Sequence, residues 1–299
     1  MKEIIPIEFS KNNKQDFRDY AFKPLAEIMK KNKKVFLITN DMGAKGFDDL
    51  KRMFSERVIN AGISEQNIVS VAGGLAKSGN HVFIYGIISH IIFRALEQIK
   101  IDICLPNLPV TILGVGAGLS YGQDGPTHHG IEDCGIASVL PNLNIYNPAD
   151  YISTKQAVLE CYKNKQPSFI RLDKEKLPNL YNLKDRFINM NIFGKPSKNL
   201  LVGSGITLWI CLKVKEILKN KIYFSVLDFN KLTYYNKTKI KKIMNKSKNI
   251  VIIEENIETA SIISNEFLKI KNLFNLNSKI STINLKKEYL FGSSSRKYI

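Results

Sequence analysis

The feature that most constrains the fold is the alternation, in the first half of the chain, of short Val- and Ile-rich runs with helical patterns. Five runs are predicted to be buried strands: Val35–Thr39, Val58–Ile59, Val82–Tyr85, Val110–Leu113 and Leu143–Tyr146. Two of the intervening segments are predicted to be helices: Gln66–Lys77 and Ile91–Ile103. Strands of this composition separated by helices predict an α/β domain whose parallel sheet is covered by helices on both faces.

A second, smaller α/β unit is predicted in the other half of the chain. Phe169–Leu172 has the pattern of a last strand of the first domain, and Leu200–Gly205 opens the next run of strands and helices. The segment between them is rich in Asn, Lys and Pro, which is typical of a connection. The predicted division is a first domain, a linker and a second domain over residues 1–175, 176–198 and 199–299. We expect a loose tail after Leu290.

The chain lacks the segments that would direct it to or through a membrane. No stretch reaches the roughly 18 uninterrupted apolar residues of a membrane span, because the richest one, Val82–Phe93, contains polar residues and a glycine. The start at Met1 lacks the basic-then-apolar order of a secretory signal. The four cysteines form no CxxC pair. We therefore expect a soluble protein of the reducing cytoplasm, with no membrane partner.

The basic charge is confined to the second half. Of the net charge of +17, residues 1–150 contribute none, with 16 basic and 16 acidic side chains, whereas residues 151–299 hold 28 basic and 11 acidic ones. The excess is mostly Lys among many Asn, densest at Lys237–Lys248, without aromatic interleaving or a nucleic-acid motif. A compositional bias toward Lys and Asn is the simpler explanation, so no nucleic-acid partner is expected. A basic surface for phosphate-rich ligands is the alternative.

A single carboxylate marks the most informative loop. The segment Asn60–Asn67 places Glu65 where a glycine-containing loop after an apolar strand turns into a helix. An acid is common there, because a helix N-terminus favours negative charge and Ser64 could cap it. However, the loop follows the carboxyl end of a strand, where ligands bind in open α/β sheets. The functional alternative is a buried carboxylate that exchanges a proton with a heteroaromatic ring.

A second polar segment follows the glycine-rich loop Gly114–Gly122. It begins at Asp124 and reads Asp-Gly-Pro-Thr-His-His. Gly and Pro fix a tight bend, so the side chains of Asp124, Thr127 and His128 can face one pocket. Imidazole beside carboxylate suits hydroxyl recognition and proton transfer in a polyol substrate. Adjacent residues such as His128 and His129 rarely bind one ion, so no metal site is expected in this chain.

Together, these motifs resemble those of the transketolase family. Residues from about Arg18 to Asp150 are similar to the family's pyrimidine-binding domain, and the chain from Leu200 onward is similar to its C-terminal domain. The two motifs, the Arg-Ala-Leu-Glu-Gln-Ile helix beginning at Arg94 and the Asn-Pro-Ala-Asp segment ending at Asp150 carry the likeness. It covers nearly the whole chain and is strongest to the small subunit of transketolases that are split into two polypeptides.

The resemblance implies thiamine diphosphate chemistry, in which the protein orients and polarises the cofactor. Glu65 would bond the ring nitrogen of the aminopyrimidine and so activate the cofactor. Asp41 would lie near the thiazolium side. Ile88, Ile91 and Arg94 fall at cofactor-contacting positions.

The same resemblance assigns residues to the substrate. Asp124 and His128 would contact the hydroxyls and the carbonyl of a sugar donor. Arg18 and Lys174 fall where the family places phosphate-contacting Arg residues. The Lys at position 174 lacks the two-pronged guanidinium, so it binds phosphate only as a point charge.

Besides the Lys at position 174, the chain departs from the family pattern at two places. Where aromatic rings usually stack on the pyrimidine, it has Ile88 and Ile91, with His90 or Phe93 as alternatives if the helix is offset. Where the family usually has a substrate-binding His, it has Gly116, which puts recognition of a phosphorylated sugar in doubt.

A diphosphate-binding segment is missing from the sequence, which contains no GDG followed by Asn-type metal ligands. The resemblance implies that this segment, with Mg²⁺ or Ca²⁺, belongs to a separate N-terminal subunit. We therefore expect the active site at a subunit interface. The expected assembly is a heterotetramer with two equivalent sites, in which two copies of this chain pair with each other.

The leading hypothesis is the C-terminal subunit of a split transketolase-like enzyme. It would move a two-carbon ketol unit from a ketose, expected to be a sugar phosphate, to an aldehyde. Three alternatives stay open: a related thiamine diphosphate carboligase (a 2-oxo acid dehydrogenase beta subunit or a deoxyxylulose phosphate synthase), a non-catalytic scaffold or regulatory partner, and an anion-binding module. Retention of Glu65, Asp124 and His128 argues against the scaffold.

Overall fold

The structure, a computed structural model, describes residues 17–181, 190–292 and 296. It contains two sheets, each flanked by helices. The start of the chain, where no signal segment is predicted, and residues 182–189 of the predicted linker lie outside the described residues. Within the described ranges, no helix has both the length and the apolar character needed to cross a bilayer.

The first sheet is the parallel sheet that the sequence predicts. Its strands are β1 (Val35–Thr39), β2 (Val58–Asn60), β3 (His81–Ile87), β4 (Val110–Val115), β5 (Asn144–Tyr146) and β6 (Ser168–Leu172). Its helices are α1 (Asp19–Lys31), α2 (Lys45–Met53), α3 (Glu65–Lys77), α4 (Ile88–Arg94), α5 (Leu96–Gln98), α6 (Asp133–Ser138) and α7 (Tyr151–Asn164). A π-helix at Ile99–Cys104 and a 3-10 turn at Gly122–Asp124 complete it.

The order of the strands locates the edge of the sheet where a ligand would bind. All neighbours are parallel in the order β2-β1-β3-β4-β6-β5. Along β3, Val82 and Ile84 enter one apolar core while Phe83 and Tyr85 enter another, so both faces are covered. Because β2 and β3 lie on opposite sides of β1, the strand order reverses there. Crevices form at such a reversal, beyond the carboxyl ends of the strands.

The predicted helix Ile91–Ile103 differs from the structure. The helical segment begins earlier, at Ile88, is interrupted at Ala95 and ends in the π-helix. In the π-helix the backbone of Asp102 lies so close to α3 that a Cβ atom on Gly73 would stand 2.7 Å from the Asp102 carbonyl oxygen. This wider turn has no signature in apolar periodicity, which explains why the sequence pattern missed it.

The second sheet is mixed. Its strands are β7 (Met190–Phe193), β8 (Asn199–Gly203), β9 (Ser225–Phe229), β10 (Asn249–Ile257) and β11 (Lys279–Leu285), and its helices are α8 (Ile206–Ile217), α9 (Lys237–Met244) and α10 (Ile263–Leu273), with a 3-10 turn at Glu258–Ala260. The order is β11-β10-β8-β9-β7, and only β7 runs antiparallel among these strands. Because β7 pairs with β9, the second unit begins inside the predicted linker 176–198. The sequence pattern missed β7 because a four-residue edge strand flanked by polar residues looks like a connecting segment.

Polar contacts join the two sheet-bearing units. The Asn147 amide donates to the carbonyl of Asn230 at 2.8 Å, and the Ile257 amide donates to the carbonyl of Ile131 at 3.1 Å. The tail, predicted to be loose, is anchored at Arg296, whose guanidinium pairs with Asp173 at the end of β6 and lies 2.9 Å from a carboxylate oxygen of Glu255 on β10. The four cysteines are buried free thiols.

Candidate active site

Glu65 is the first residue of α3 and lies at the reversal of the strand order. Its side chain is only 5% exposed. Ser64 makes no capping hydrogen bond, since its hydroxyl donates to the Ala61 carbonyl at 3.0 Å. A Glu whose only role is to favour the helix N-terminus needs no burial. A role at the helix N-terminus alone therefore does not account for the burial of Glu65.

Three side chains surround the Glu65 carboxylate at its Oε1 atom. Asn40 donates to it at 3.0 Å and Arg94 at 2.9 Å, while Nδ1 of His90 lies 4.0 Å away. Burial raises the pKa of Glu65, but the helix amide and the donors Arg94 and Asn40 outweigh burial and leave the pKa below its usual value. Within the described residues, no side chain of another residue donates to Oε2. That oxygen is left for a ligand.

The end of β1 supplies two polar residues to this edge. Asp41 has a left-handed backbone with φ of 62°. It forms a reciprocal pair with Asn60 at the end of β2, with hydrogen bonds of 2.9 and 3.0 Å. This pair ties the two strand ends together beside Asn40. The sequence pattern indicated Asp41 but not Asn40. The signal for Asn40 was that it is a polar residue directly after a buried strand.

The predicted cofactor contacts on α4 differ in their exposure. Ile88 and Ile91 are fully buried in the apolar core, so neither offers surface to a ligand. The reason is that α4 begins at Ile88 and turns these two residues toward the sheet. The alternatives His90 and Phe93 are the accessible ones, with Phe93 46% exposed. Burial lowers the pKa of His90, and the nearby Arg94 and His128 lower it further, so its imidazole is neutral near pH 7.

His90 links the Glu65 carboxylate to the second motif. The rings of His90 and His128 meet edge to face, with centroids 4.9 Å apart. Nδ1 of His128 lies 2.9 Å from the Thr127 hydroxyl oxygen, and the Thr127 carbonyl accepts a hydrogen bond from Ser89 on α4. The two sequence motifs are therefore brought to one edge of the sheet.

Asp124 and Lys174 line one cavity of about 220 Å³. Ser120, Tyr121, Gly122, Gln123, Glu175 and Arg296 complete its described lining. Lys174 lies 4.4 Å above the Tyr121 ring. Arg18, at the start of α1, does not line this cavity within the described residues. Lys174 and Asp124 therefore line one cavity, and Arg18 is outside its described lining.

The Tyr121 ring explains the glycine at position 116. Gly116 has φ of +104°, and a Cβ atom built on it would lie 2.5 Å from the ring of Tyr121. No side chain fits there while Tyr121 keeps its place. The space that a histidine at this position would need is taken by an aromatic ring that also contacts His128.

The residues present fit one half of a site for a ring cofactor. Oε2 of the buried, ionised Glu65 can form a hydrogen bond with a ring nitrogen. Arg94, which contacts Glu65, is 51% exposed, so the site reaches the protein surface. Over residues 17–181 and 190–292, no group of three or more His, Cys, Asp or Glu is arranged to hold a metal ion.

The protein is thus of the α/β class with an open parallel sheet, in which ligands bind at the carboxyl ends of the strands, and its buried carboxylate and polar turn lie at that edge. A family model described as "Transketolase, pyrimidine binding domain" matches residues 13–179. The match covers more than half of the chain, so the chain belongs to the transketolase family, whose members are thiamine diphosphate-dependent transferases.

Curated relatives fall into split and full-length proteins. One of the subunits of an apulose-4-phosphate transketolase, from Phocaeicola vulgatus, is 28% identical over 239 residues, which cover 77% of this chain and 76% of that protein. A putative transketolase C-terminal section of Methanocaldococcus jannaschii is 28% identical over 91% of this chain and 86% of its own length. The 1-deoxy-D-xylulose-5-phosphate synthase of Clostridium tetani is 28% identical over 94% of this chain, but this covers only 46% of that protein.

Solved structures show the same fold. A split gene transketolase described as an inactive beta4 tetramer superposes with a TM-score of 0.82 at 24% identity, covering 91% of this chain and 90% of that one. The transketolase of Campylobacter jejuni superposes with a TM-score of 0.77 at 19% identity over 95% of this chain, which spans 43% of that protein. Both superpositions show the fold of transketolases over more than nine-tenths of this chain.

Proposed function

We propose that this chain, with a separate N-terminal subunit, transfers a two-carbon ketol unit from a ketose donor to an aldehyde acceptor, using thiamine diphosphate. The observation that carries the proposal is the buried Glu65, whose Oε1 is held by Asn40 and Arg94 while Oε2 stays available. Thiamine diphosphate, when bound, supplies the nucleophilic carbon for breaking and forming the carbon–carbon bond. The residues of this chain bind, orient and exchange protons around it.

Glu65, ionised before the cofactor binds, would hydrogen-bond a ring nitrogen of the cofactor through Oε2 and exchange a proton with it. Asn40 and Arg94 keep the carboxylate ionised and fixed in one rotamer, so its reorganisation during the reaction is small. The neutral imidazole of His90 and the side chain of Phe93 would provide the ring contacts that the sequence first assigned to Ile88 and Ile91. Asp41, held by Asn60, would contribute negative charge at the thiazolium side.

The second motif would bind the sugar. With Nδ1 of His128 engaged by Thr127, Nε2 is the ring nitrogen that can hydrogen-bond the donor's carbonyl or hydroxyl. Asp124 would accept hydrogen bonds from donor hydroxyls, and Lys174 would face the far end of the same molecule. Arg18, at the start of α1, would contribute a further positive charge to a phosphorylated substrate.

The other half of the site would come from the partner. The diphosphate and Mg²⁺ or Ca²⁺ would bind mainly to the N-terminal subunit, whose segment for them is missing from this sequence. Exposure of Phe93 and Arg94 beside Glu65 supports a partner surface at this edge. We propose a cytoplasmic heterotetramer in which two copies of this chain pair with each other.

A deoxyxylulose phosphate synthase-like reaction is the second candidate. The similarity to the Clostridium tetani enzyme over 94% of this chain favours it. Such an enzyme consumes a 2-oxo acid instead of a ketose. A non-catalytic partner has weaker support, because Glu65 and His128 are retained and brought to one edge. Thr127 and His128 of the second motif favour a transketolase over a 2-oxo acid dehydrogenase beta subunit.

The test is reconstitution with an N-terminal subunit that carries the GDG and metal-ligand pattern. The purified pair would be given thiamine diphosphate, Mg²⁺ and an aldehyde, with either a set of ketoses or pyruvate as the donor. Consumption of a ketose with formation of a ketose two carbons longer than the acceptor supports the proposal. Consumption of pyruvate alone supports the second candidate, and no turnover with a correctly assembled pair contradicts both.

A further inference from the structure

We propose that Glu255, on β10 of the second unit, is a positioning residue for the turn of the first unit that carries Asp124 and His128. Its carboxylate fixes the glycine-rich loop Gly114–Gly122, and this loop in turn fixes the backbone around His128. The proposal rests on the proposed function in taking Asp124 and His128 as substrate contacts. Glu255 itself acts on the substrate only through the loop.

The Glu255 carboxylate contacts the backbone of the glycine-rich loop. Its Oε2 atom accepts a 3.1 Å hydrogen bond from the Leu119 amide. Gly118 has φ of +59°, and a Cβ atom built on it would overlap with the same carboxylate oxygen. A side chain at position 118 would therefore displace the carboxylate. Glycine is required here for the close approach as well as for the backbone angle, so the conformation of the loop and the position of Glu255 depend on each other.

The loop is tied to the turn by a pair of backbone hydrogen bonds. The Gly118 amide donates to the Gly130 carbonyl at 2.8 Å, and the Gly130 amide donates to the Gly118 carbonyl at 2.9 Å. Gly130 follows His128 by two residues. Farther along the loop, the Tyr121 ring contacts the His128 ring, with centroids 5.8 Å apart. A displacement of Gly118 would therefore shift the backbone of His128 and its ring contact together.

A largely buried ion pair orients the Glu255 carboxylate. The side chains of Glu255 and Arg296 are each 13% exposed, and Nε of Arg296 lies 2.9 Å from Oε1 of Glu255. Burial raises the pKa of Glu255, and Arg296 acts against this increase. Arg296 is itself fixed, because it donates to both carboxylate oxygens of Asp173, at 3.2 and 2.7 Å, and to the Ala117 carbonyl at 3.0 Å. Oε1 of Glu255 is thus directed to a fixed cation and Oε2 to the loop.

A positioning role and a purely structural role predict different kinetics. If Glu255 only joined the two units, its loss would lower the fraction of folded enzyme, so the apparent kcat would fall and the KM for the donor would not change. If it positions the turn, the KM for the ketose donor rises as well, because Asp124 and His128 no longer meet the donor in the right geometry. Glu65 lies on a different loop, so the affinity for thiamine diphosphate should stay the same.

The kinetic test is Glu255→Ala in the reconstituted pair. The kcat/KM for the best ketose donor should fall by about tenfold or more, with a higher KM, while the dissociation constant of thiamine diphosphate changes by less than about twofold. Glu258→Ala removes an exposed carboxylate three residues farther along and should change neither value. Glu255→Gln keeps one acceptor oxygen and should give an intermediate result. An unchanged donor KM, or equal weakening of donor and cofactor binding, overturns the proposal.

Amide hydrogen exchange of the full chain, followed by NMR, needs no turnover. In Glu255→Ala, exchange at Gly118, Leu119 and Gly130 should become about tenfold faster, whereas the amides of β4 should keep their rates. Unchanged exchange at Gly130 would contradict the link between the loop and the turn. If Glu255→Ala does not fold, Glu255→Gln decides through smaller changes in the same direction. Absence of ketol transfer in the unmodified pair would count against the proposed function, and the exchange rates would still decide whether Glu255 fixes the loop.

Discussion

The side-chain amide of Asn40 donates a 3.0 Å hydrogen bond to Oε1 of Glu65, joining the end of β1 to the start of α3. Arg94 reaches the same oxygen from α4. One carboxylate oxygen is thus fixed from two sides, and the other is available to a ligand. Because of this asymmetry, mutation can alter the charge of Glu65 separately from the hydrogen bonds that Asn40 and Arg94 donate to it.

Glu65→Gln should abolish turnover of the reconstituted two-subunit enzyme. Glutamine keeps the shape of the side chain but cannot carry the negative charge or exchange the proton, a loss of about 100-fold or more in kcat. Steady-state kinetics with the best ketose donor measures it. Glu97→Gln, at an exposed position on the neighbouring α5, is the matched control and should retain activity. Near-normal turnover of Glu65→Gln would refute the proposed role.

Arg94→Met should move the acid limb of the pH–activity profile to higher pH. Arg94 is one of the groups that hold the pKa of Glu65 below its usual value, so its removal lets burial raise that pKa. The ionised carboxylate is then lost at a higher pH as the solution is acidified. A ¹³C NMR titration of the Glu65 carboxyl checks the same shift without turnover. Arg52→Met, at an exposed position on α2, should not change either curve.

Two adjacent glycines of α3 should respond in opposite directions to alanine. Gly73→Ala places a Cβ atom 2.7 Å from the carbonyl oxygen of Asp102 in the π-helix, and should destabilise the protein by about 1–3 kcal/mol. Gly74 has no atom within 4 Å of such a Cβ, so Gly74→Ala should add about 0.5–1 kcal/mol through helix propensity. Urea unfolding of both variants provides the comparison. Equal effects would contradict the tight contact between α3 and the π-helix.

Asp228→Asn should remove a pH dependence of stability. Burial raises the pKa of Asp228 to about 7, while Tyr181 donates a 2.6 Å hydrogen bond to it. The folded protein then binds this proton more tightly than the unfolded chain, so the free energy of unfolding falls as pH rises from about 4 to about 7. The free energy of unfolding of the variant, measured relative to that of the unmodified protein, should therefore be higher at pH 8 than at pH 5.

Urea unfolding at pH 5 and pH 8 measures this difference. Asp48→Asn, at an exposed position on α2, is the control and should show the same difference between the two pH values as the unmodified protein. If Asp228→Asn behaves like this control, Asp228 is ionised throughout the range and the prediction is wrong.

The first sheet could be predicted from the sequence because strands buried on both faces leave long Val- and Ile-rich runs. The edge strand β7 and the π-helix could not, since neither produces a distinctive apolar period. At the site, Glu65 was recognisable by its place after a strand. Asn40 and His90 were harder to assign, because their roles depend on which helix face turns toward the carboxylate, and that is set by tertiary packing around α4.

The anchoring of Arg296 has a practical consequence for handling the protein. A protease that trims the chain from its carboxyl side would remove this guanidinium, leaving Asp173 and Glu255 unpaired at the junction of the two sheets. Uncompensated buried charges of this kind cost roughly 3–5 kcal/mol, enough to unfold much of a marginally stable sample. Intact-mass measurement of each preparation, and affinity tags placed at the amino end, therefore guard the binding, kinetic and unfolding assays alike.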